Sequence, residues 1–253
     1  MSAHGGGLAL DRAAWSSPWR LRSVRDKAFL SLGLVCVALV LPTWPGSALV
    51  AVVATLVLLG PARVPGRLLA RCVAAPAAFI AVGAVSVAVT LSWQDGPRLG
   101  VSEQSLAQAG DLVGHALAGT LGVLVLAATT PMVDLLGGLR RVKVPDPLLD
   151  VAALMYRMLF ALLDSVHAVR EAQTARMGYA TRRAAMRSGA LLTGQVMLRA
   201  WTRASRLEEG LSGRGYVEGL TTLEPGRHAS ARFLAASACV LGLVCALTWG
   251  VVR

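Results

Sequence analysis

Apolar residues along this chain gather into runs, and in one long stretch they recur at helical spacing instead. Run one covers about 28–41 and stops at Pro42 and Pro45; run two covers about 47–60 and stops at Gly60-Pro61. Each is shorter than the ~20 residues of a standard membrane span, so together they predict a tight helical hairpin. Run three, about 68–93, contains Pro76 and ends at Trp93, a residue suited to a membrane interface. A polar loop at 94–111 with Asp95, Arg98, Glu103 and Asp111 leads into run four, about 112–130. There Gly114, Gly119 and Gly122 offer small faces for helix packing. The last run is about 231–252.

The stretch between runs four and five has a different rhythm. From Pro147 to Met177, Leu148, Val151, Met155, Met158, Leu162 and Val166 recur at spacings of three and four. That spacing predicts an amphipathic helix, ~45 Å long at ~1.5 Å per residue. Its other side and distal end bear Arg157, Asp164, Arg170 and Glu171. A second helix, about 189–213, sets Leu191, Val196 and Leu207 against Arg199, Arg203 and Arg206. Before both, Thr129-Thr130-Pro131 marks a break, and 132–141 is a short amphipathic piece ending in Arg140-Arg141.

Composition turns these runs into membrane spans. Of 253 residues, 55% are hydrophobic and 15% charged, against about 25% charged in soluble domains; mean hydropathy is +0.59. The expected fold is an all-α integral membrane protein. It has about five transmembrane helices plus a cytoplasmic module of long amphipathic helices between the fourth and last spans. The segments are 1–27 (cytoplasmic), 28–130 (four spans), 131–230 (the cytoplasmic module) and 231–253 (the final span). Run one follows Arg20, Arg22, Arg25 and Lys27 as in a secretory signal, but a second apolar run follows at once, so it reads as a retained span.

The net charge of +11 is uneven, with 14 of the 25 Lys and Arg in residues 137–227 beside 8 acids. A basic chain invites nucleic acid, yet no aromatic platform is interleaved with the cations, and no nucleic-acid partner is expected. The positive-inside rule fits better. Residues 1–27 hold five Lys or Arg, 61–71 three (Arg63, Arg67, Arg71), 94–111 one and 42–46 none. That asymmetry places the N-terminus in the cytoplasm.

Catalytic and metal-binding patterns are lacking. The sequence has no GxxxxGK[ST], HExxH or GxSxG. Cys36, Cys72, Cys239 and Cys245 read as small buried hydrophobes without a disulfide framework. His4, His115, His167 and His228 show no ligand spacing, and Asp134, Asp146, Asp150 and Asp164 are dispersed. No catalytic residue, metal site or cofactor is expected on this chain. An integral-membrane lipid-modifying enzyme would need polar residues clustered at one depth, and the spans supply few beyond Asp111, His115 and Asp134.

Two segments use one pattern twice. Glu171-Ala172-Gln173-Thr174-Ala175-Arg176 precedes Met177-Gly178-Tyr179, and Glu209-Gly210-Leu211-Ser212-Gly213-Arg214 precedes Gly215-Tyr216. Gly178 and Gly215 suit the left-handed residue after a helix C-terminus, and an Arg there complements the helix dipole. Ordinary capping is therefore one reading. Docking is the other, since small neighbours leave each guanidinium free to fork onto a partner's carboxylate. The stripe Arg199, Arg203 and Arg206 reads equally as a solvated face or as a site for acidic lipid or an acidic partner. Met155, Met158 and Met186 read as packing residues or as an adaptable sliding surface.

These residues resemble a family: the transmembrane coupling (T) component of energy-coupling factor transporters, and within it the cobalt-type Q subunit. Its mark is a pair of Ala-Arg-Gly motifs on long cytoplasmic helices. Here Ala175-Arg176-Met177-Gly178 stands at the first and Gly213-Arg214-Gly215-Tyr216 at the second; Met177 interrupts one copy and Gly213 replaces Ala in the other. Further matches are Ser17-Pro18-Trp19 leading to Arg25-Asp26-Lys27, the run Thr129 to Leu136, and Tyr156-Arg157-Met158-Leu159-Phe160. The resemblance implies a subunit of the bacterial inner membrane that joins two cytoplasmic ABC ATPase subunits to a membrane-embedded substrate-binding (S) component. Arg176 and Arg214 would each dock on one ATPase, helped by Ala175, Gly178, Gly213 and Gly215. The face Leu148 to Val166 would carry the S component, and ATP and Mg would sit on the ATPases. Cobalt or nickel is the implied cargo, with a vitamin-specific transporter of the same kind as the alternative. An ordinary ABC permease would use one coupling loop instead of two Arg-tipped helices.

Overall fold

A computed structural model describes residues 6–92, 98–215 and 230–252, and the described chain is predominantly helical. Trp93, Asp95, Tyr216, His4 and His228 lie outside the described residues. The helices are α1 (Gly6–Ser16), α2 (Val24–Val40), α3 (Ala48–Leu59), α4 (Gly66–Ala88), α5 (Glu103–Thr129), α6 (Met132–Arg140), α7 (Asp146–Ala175), α8 (Arg182–Ser212) and α9 (Ala231–Val252). A short antiparallel pair, β1 (Val89–Ser92) and β2 (Arg98–Val101), follows α4, with Val89 opposite Val101. Run three therefore ends as a helix at Ala88 and continues as a strand.

Two compact units result: residues up to Leu135 together with Pro225–Arg253, and Leu136–Glu224. The first is an integral membrane bundle. Among the described residues, Gly66–Ala88, Glu103–Thr129 and Ala231–Val251 are long and apolar enough to cross a bilayer. The two helices of the expected hairpin are shorter, at 17 residues for α2 and 12 for α3. They are joined by a turn over Thr43–Ser47.

The bundle's core explains which small residues matter. Leu30, Leu34 and Ala38 of α2, Val50, Ala54 and Leu58 of α3, Ala118, Val125 and Ala128 of α5, and Val244 of α9 form one buried cluster. Gly122 lets α5 approach α2: a Cβ there would lie 2.8 Å from Val35 Cγ2, and Ser31 Oγ donates to the Gly122 carbonyl at 2.8 Å. Gly114 faces Thr43 and Ser47 just as closely, whereas Gly119 has nothing within 4 Å and is no packing position. The cysteines are also not the buried residues the sequence suggested. Cys36 and Cys239 are exposed on apolar helices, Cys72 and Cys245 are half-buried, and all four are free thiols.

α8 begins at Arg182 instead of about 189, because the Thr181 side chain caps it there; two boundaries in the bundle also differ from the pattern for identifiable reasons. α5 begins at Glu103 instead of about 112, because Ser102 and Ser105 form a capping box there and Glu103 complements the helix dipole. α2 begins at Val24, capped by the Ser23 side chain, so Asp26 and Lys27 belong to the helix instead of flanking it. Both are fully buried. Lys27 Nζ donates to the Thr129 carbonyl at 2.9 Å, and Asp26 Oδ2 accepts from the Ser230 amide at 3.0 Å. The cation thus meets the C-terminus of α5 and the anion the N-terminus of α9, each matching the sign of the dipole it faces. Upstream, Ser17 donates to the Ala62 carbonyl at 3.2 Å, and Trp19 packs edge-on against Phe233 at 5.1 Å. The N-terminal segment is therefore part of the bundle, and so is α1, where Ala14 is fully buried and Leu10 packs against the core.

Candidate functional site: two arginine-tipped helix ends

The second unit is built on α7 and α8, of 30 and 31 residues. Pro145 and Pro147 start α7, since proline is tolerated where the first amides lack intrahelical partners. Arg140 ties α6 to it. Its Nη2 bonds Asp150 Oδ1 at 3.2 Å, with that carboxylate buried, and its Nε lies 2.9 Å from the exposed Asp146. Tyr156 and Phe160, one turn apart, pack edge to face at 5.0 Å.

The predicted apolar face of α7 is only partly free. Leu148, Val151 and Met155 are exposed, whereas Met158, Leu162 and Val166 are half-buried. The free stripe continues instead through Leu159, four residues after Met155. Exposed apolar residues also line α8, among them Met186, Met197 and Trp201, at helical spacings that the Arg-rich composition of that segment obscured. Arg199, Arg203 and Arg206 are exposed as well.

The C-terminus of α7 forms the first arginine end. Arg176 is the C-cap residue, and Met177 follows with φ +57 in the left-handed region. The Met177 amide donates to the Thr174 carbonyl at 3.0 Å and the Gly178 amide to the Gln173 carbonyl at 2.8 Å, the double closure of a Schellman cap. The left-handed residue is thus Met177 and not Gly178. Gly178 is required for another reason: a Cβ there would lie 2.7 Å from Ser188 Oγ and 2.9 Å from the Gln173 carbonyl oxygen.

The end of α8 repeats this geometry one step earlier in sequence. Gly213 is the C-cap with helical angles, and Gly215 follows Arg214 with φ +69. The Gly215 amide donates to the Ser212 carbonyl at 3.0 Å. In both copies the arginine directly precedes the left-handed residue. Met177 therefore occupies the place of Gly215 and is no insertion between an Arg and its Gly. Ala175, Arg176, Gly213, Arg214 and Gly215 are all exposed. Among the described residues, neither guanidinium has an ion-pair or hydrogen-bond partner. The two arginines are not brought together, because the whole of α8, ~45 Å at ~1.5 Å per residue, separates them.

The alternative catalytic cluster does not assemble. Asp111 and His115 lie in the first half of α5, where the His115 ring contacts the Asp111 carbonyl and Thr43, while Asp134 lies beyond the far end of that helix. Among the described residues, no three His, Cys, Asp or Glu side chains converge on a metal-sized site.

The chain thus combines a membrane bundle with a second unit that carries two arginine ends, and known proteins are similar to it in sequence. The family described as cobalt transport protein, CbiQ, matches residues 16–223. This chain belongs to the CbiQ family. It is 38% identical to the cobalt transport protein CbiQ of Rhodobacter capsulatus over 94% of both chains. It is 28% identical to CbiQ of Salmonella typhimurium over 78% of this chain and 92% of that one. A putative fused cobalt transport protein CbiMQ of Methanocorpusculum labreanum is 27% identical over 94% of this chain, which spans 42% of that relative. The CbiQ match includes both arginine ends and begins at the Ser17-Pro18-Trp19 strap, so the buried N-terminal segment belongs to the family region.

Proposed function

We propose that this CbiQ-family chain is the transmembrane coupling subunit of an energy-coupling factor importer, with cobalt as its cargo. One observation carries the reading: two exposed arginines, each directly before a left-handed residue at the tip of a long helix, have no ion-pair or hydrogen-bond partner among the described residues. An arginine placed so offers its full planar fork to a carboxylate on another chain. Two such tips suit two cytoplasmic ABC ATPase subunits. The sequence lacks a phosphate-binding loop of its own, so ATP and Mg belong to those subunits and this chain needs no cofactor and no catalytic residue.

The exposed stripe Leu148, Val151, Met155 and Leu159 would carry the membrane-embedded substrate-binding component, and ATPase closure would move that stripe. The fused CbiMQ relative supports a working partnership with a second transport subunit, and the names of the relatives support cobalt. The chain would lie in the bacterial inner membrane with its N-terminus and the α6–α8 unit in the cytoplasm, as the distribution of arginines indicates.

The test is the double variant Arg176→Glu with Arg214→Glu. It should insert in the membrane at normal level yet lose ATP-driven cobalt uptake and release the ATPases on purification. Unchanged uptake with normal ATPase co-purification would overturn the assignment.

A further inference from the structure

The first arginine end is braced by side chains that lie outside the arginine motif. Gln173, one turn before Arg176, engages three groups at once. Its backbone carbonyl accepts from the Gly178 amide at 2.8 Å, its Oε1 accepts from the Tyr179 hydroxyl at 2.7 Å, and its Nε2 donates to the Ser188 carbonyl of α8 at 3.0 Å. Ser188, buried in the junction, returns a bond from its Oγ to the Gly178 carbonyl at 2.8 Å. The Arg170 guanidinium lies 6.0 Å from the Tyr179 ring centre. The chain that leaves Arg176 is thus tied to both helices within three residues. It holds Met177 in a left-handed conformation that a non-glycine residue adopts only when its surroundings impose it.

The second end is built differently. Among the described residues, the turn at Arg214 is closed by backbone bonds from Gly213, Arg214 and Gly215 and by Ser212 Oγ on the Glu209 carbonyl at 3.1 Å. All of these lie on α8 itself. No residue there bridges to a second helix among those described.

We infer that Gln173, Tyr179 and Ser188 are positioning residues for Arg176. They preorganise the first arginine end through a two-helix bracket; among the described residues, the second end is closed by bonds within its own helix end. The inference rests on the docking role proposed above. Its physical content is that a prefixed turn spares the ordering cost of binding, which is worth roughly two- to tenfold in affinity for each group that no longer has to be immobilised. Removing the bracket leaves Arg176 in place but makes it order itself at the moment of contact.

A double-mutant cycle separates positioning from general stability. The probe is the ATPase pair that co-purifies with the wild-type chain, titrated onto full-length protein in lipid nanodiscs. Gln173→Leu should weaken ATPase binding about tenfold, and by the same factor in an Arg214→Ala background, where Arg176 alone remains. In an Arg176→Ala background it should cause no further loss, because the group it positions is gone. Tyr179→Phe, which removes one oxygen and leaves the ring packed, should show the same pattern at about threefold and decides the matter if Gln173→Leu misfolds. An equal loss in the Arg176→Ala background would show a merely structural role. No loss in the Arg214→Ala background would also overturn the inference. If Arg176→Ala by itself leaves binding unchanged, the docking reading fails; if it weakens binding while the bracket variants do not, only the positioning role fails.

Discussion

Replacing Lys27 with methionine tests the most unusual feature of the membrane bundle. The side chain is fully buried and its ammonium donates to the Thr129 carbonyl at 2.9 Å, at the end of α5. Methionine keeps most of the apolar stem, so packing loss is small. Two larger effects oppose each other. Removing a buried ammonium relieves its desolvation, which is worth several kcal/mol. Against this, a charge-assisted hydrogen bond of about 1.5–3 kcal/mol is lost, together with a favourable charge at a helix C-terminus, up to ~2 kcal/mol in a buried setting. Asp26, also fully buried and next in sequence, decides the balance. With Lys27 present the two formal charges cancel. Without it the buried carboxylate keeps the Ser230 amide at the start of α9 but no longer has a neighbouring cation to balance its charge, and a buried charge left unbalanced costs up to about 3–5 kcal/mol.

The net expectation is a loss of about 3 kcal/mol, or roughly 6–12 °C in melting midpoint for a chain of this size. Thermal unfolding in detergent, followed by tryptophan fluorescence, measures it. Because the penalty belongs to the stranded charge, adding Asp26→Asn should recover part of the loss instead of deepening it. A Lys27→Met protein melting within about 2 °C of wild type would refute the reasoning. So would a double variant as unstable as the sum of its singles.

The remaining expectations concern the second unit. Gly178→Ala should destabilise the α7–α8 turn by about 1–3 kcal/mol through its clash with the Gln173 carbonyl and Ser188 Oγ, read as faster proteolysis at the junction. Gly215→Ala, which meets no neighbour within 4 Å among the described residues but has φ +69, should cost about 1–2 kcal/mol by left-handed strain. Met177→Gly should instead stabilise that cap by about 1 kcal/mol, since it removes the same strain at φ +57, and a lower melting midpoint would contradict the cap assignment. Asp150→Asn should cost about 1.5–3 kcal/mol, because its carboxylate is buried against Arg140. Asp146→Asn should change stability by under ~1 kcal/mol, since that partner is exposed. Equal effects of the two, measured by thermal melts, would deny Asp150 its structural role.

What was legible in the sequence follows from how far each signal reaches. Spacings of three and four between Leu148 and Val166 are local, and α7 appears within a residue or two of its expected ends. The final span was equally plain, because an uninterrupted apolar run needs no tertiary information. The paired arginines were visible as a pattern, but their geometry was not. A left-handed glycine was expected at 178, and the structure puts the left-handed angle on Met177 and the steric demand on Gly178. Part of that demand comes from Ser188, ten residues on and on another helix, which no window around the motif contains.

Asp26 and Lys27 give the same lesson more sharply. Seen along the chain they are polar residues before an apolar run, which the positive-inside rule assigns to the membrane surface. In the bundle they are buried against backbone groups of Thr129 and Ser230, about 100 and 200 residues away in sequence. Local pattern reading assigns a charge by its neighbours in sequence, and here its partners are helix termini that exist only after the fold has closed. The family region nevertheless includes this segment. Two opposite charges bound to the ends of α5 and α9 hold the bundle in register, and because both side chains are fully buried, water does not substitute for either bond.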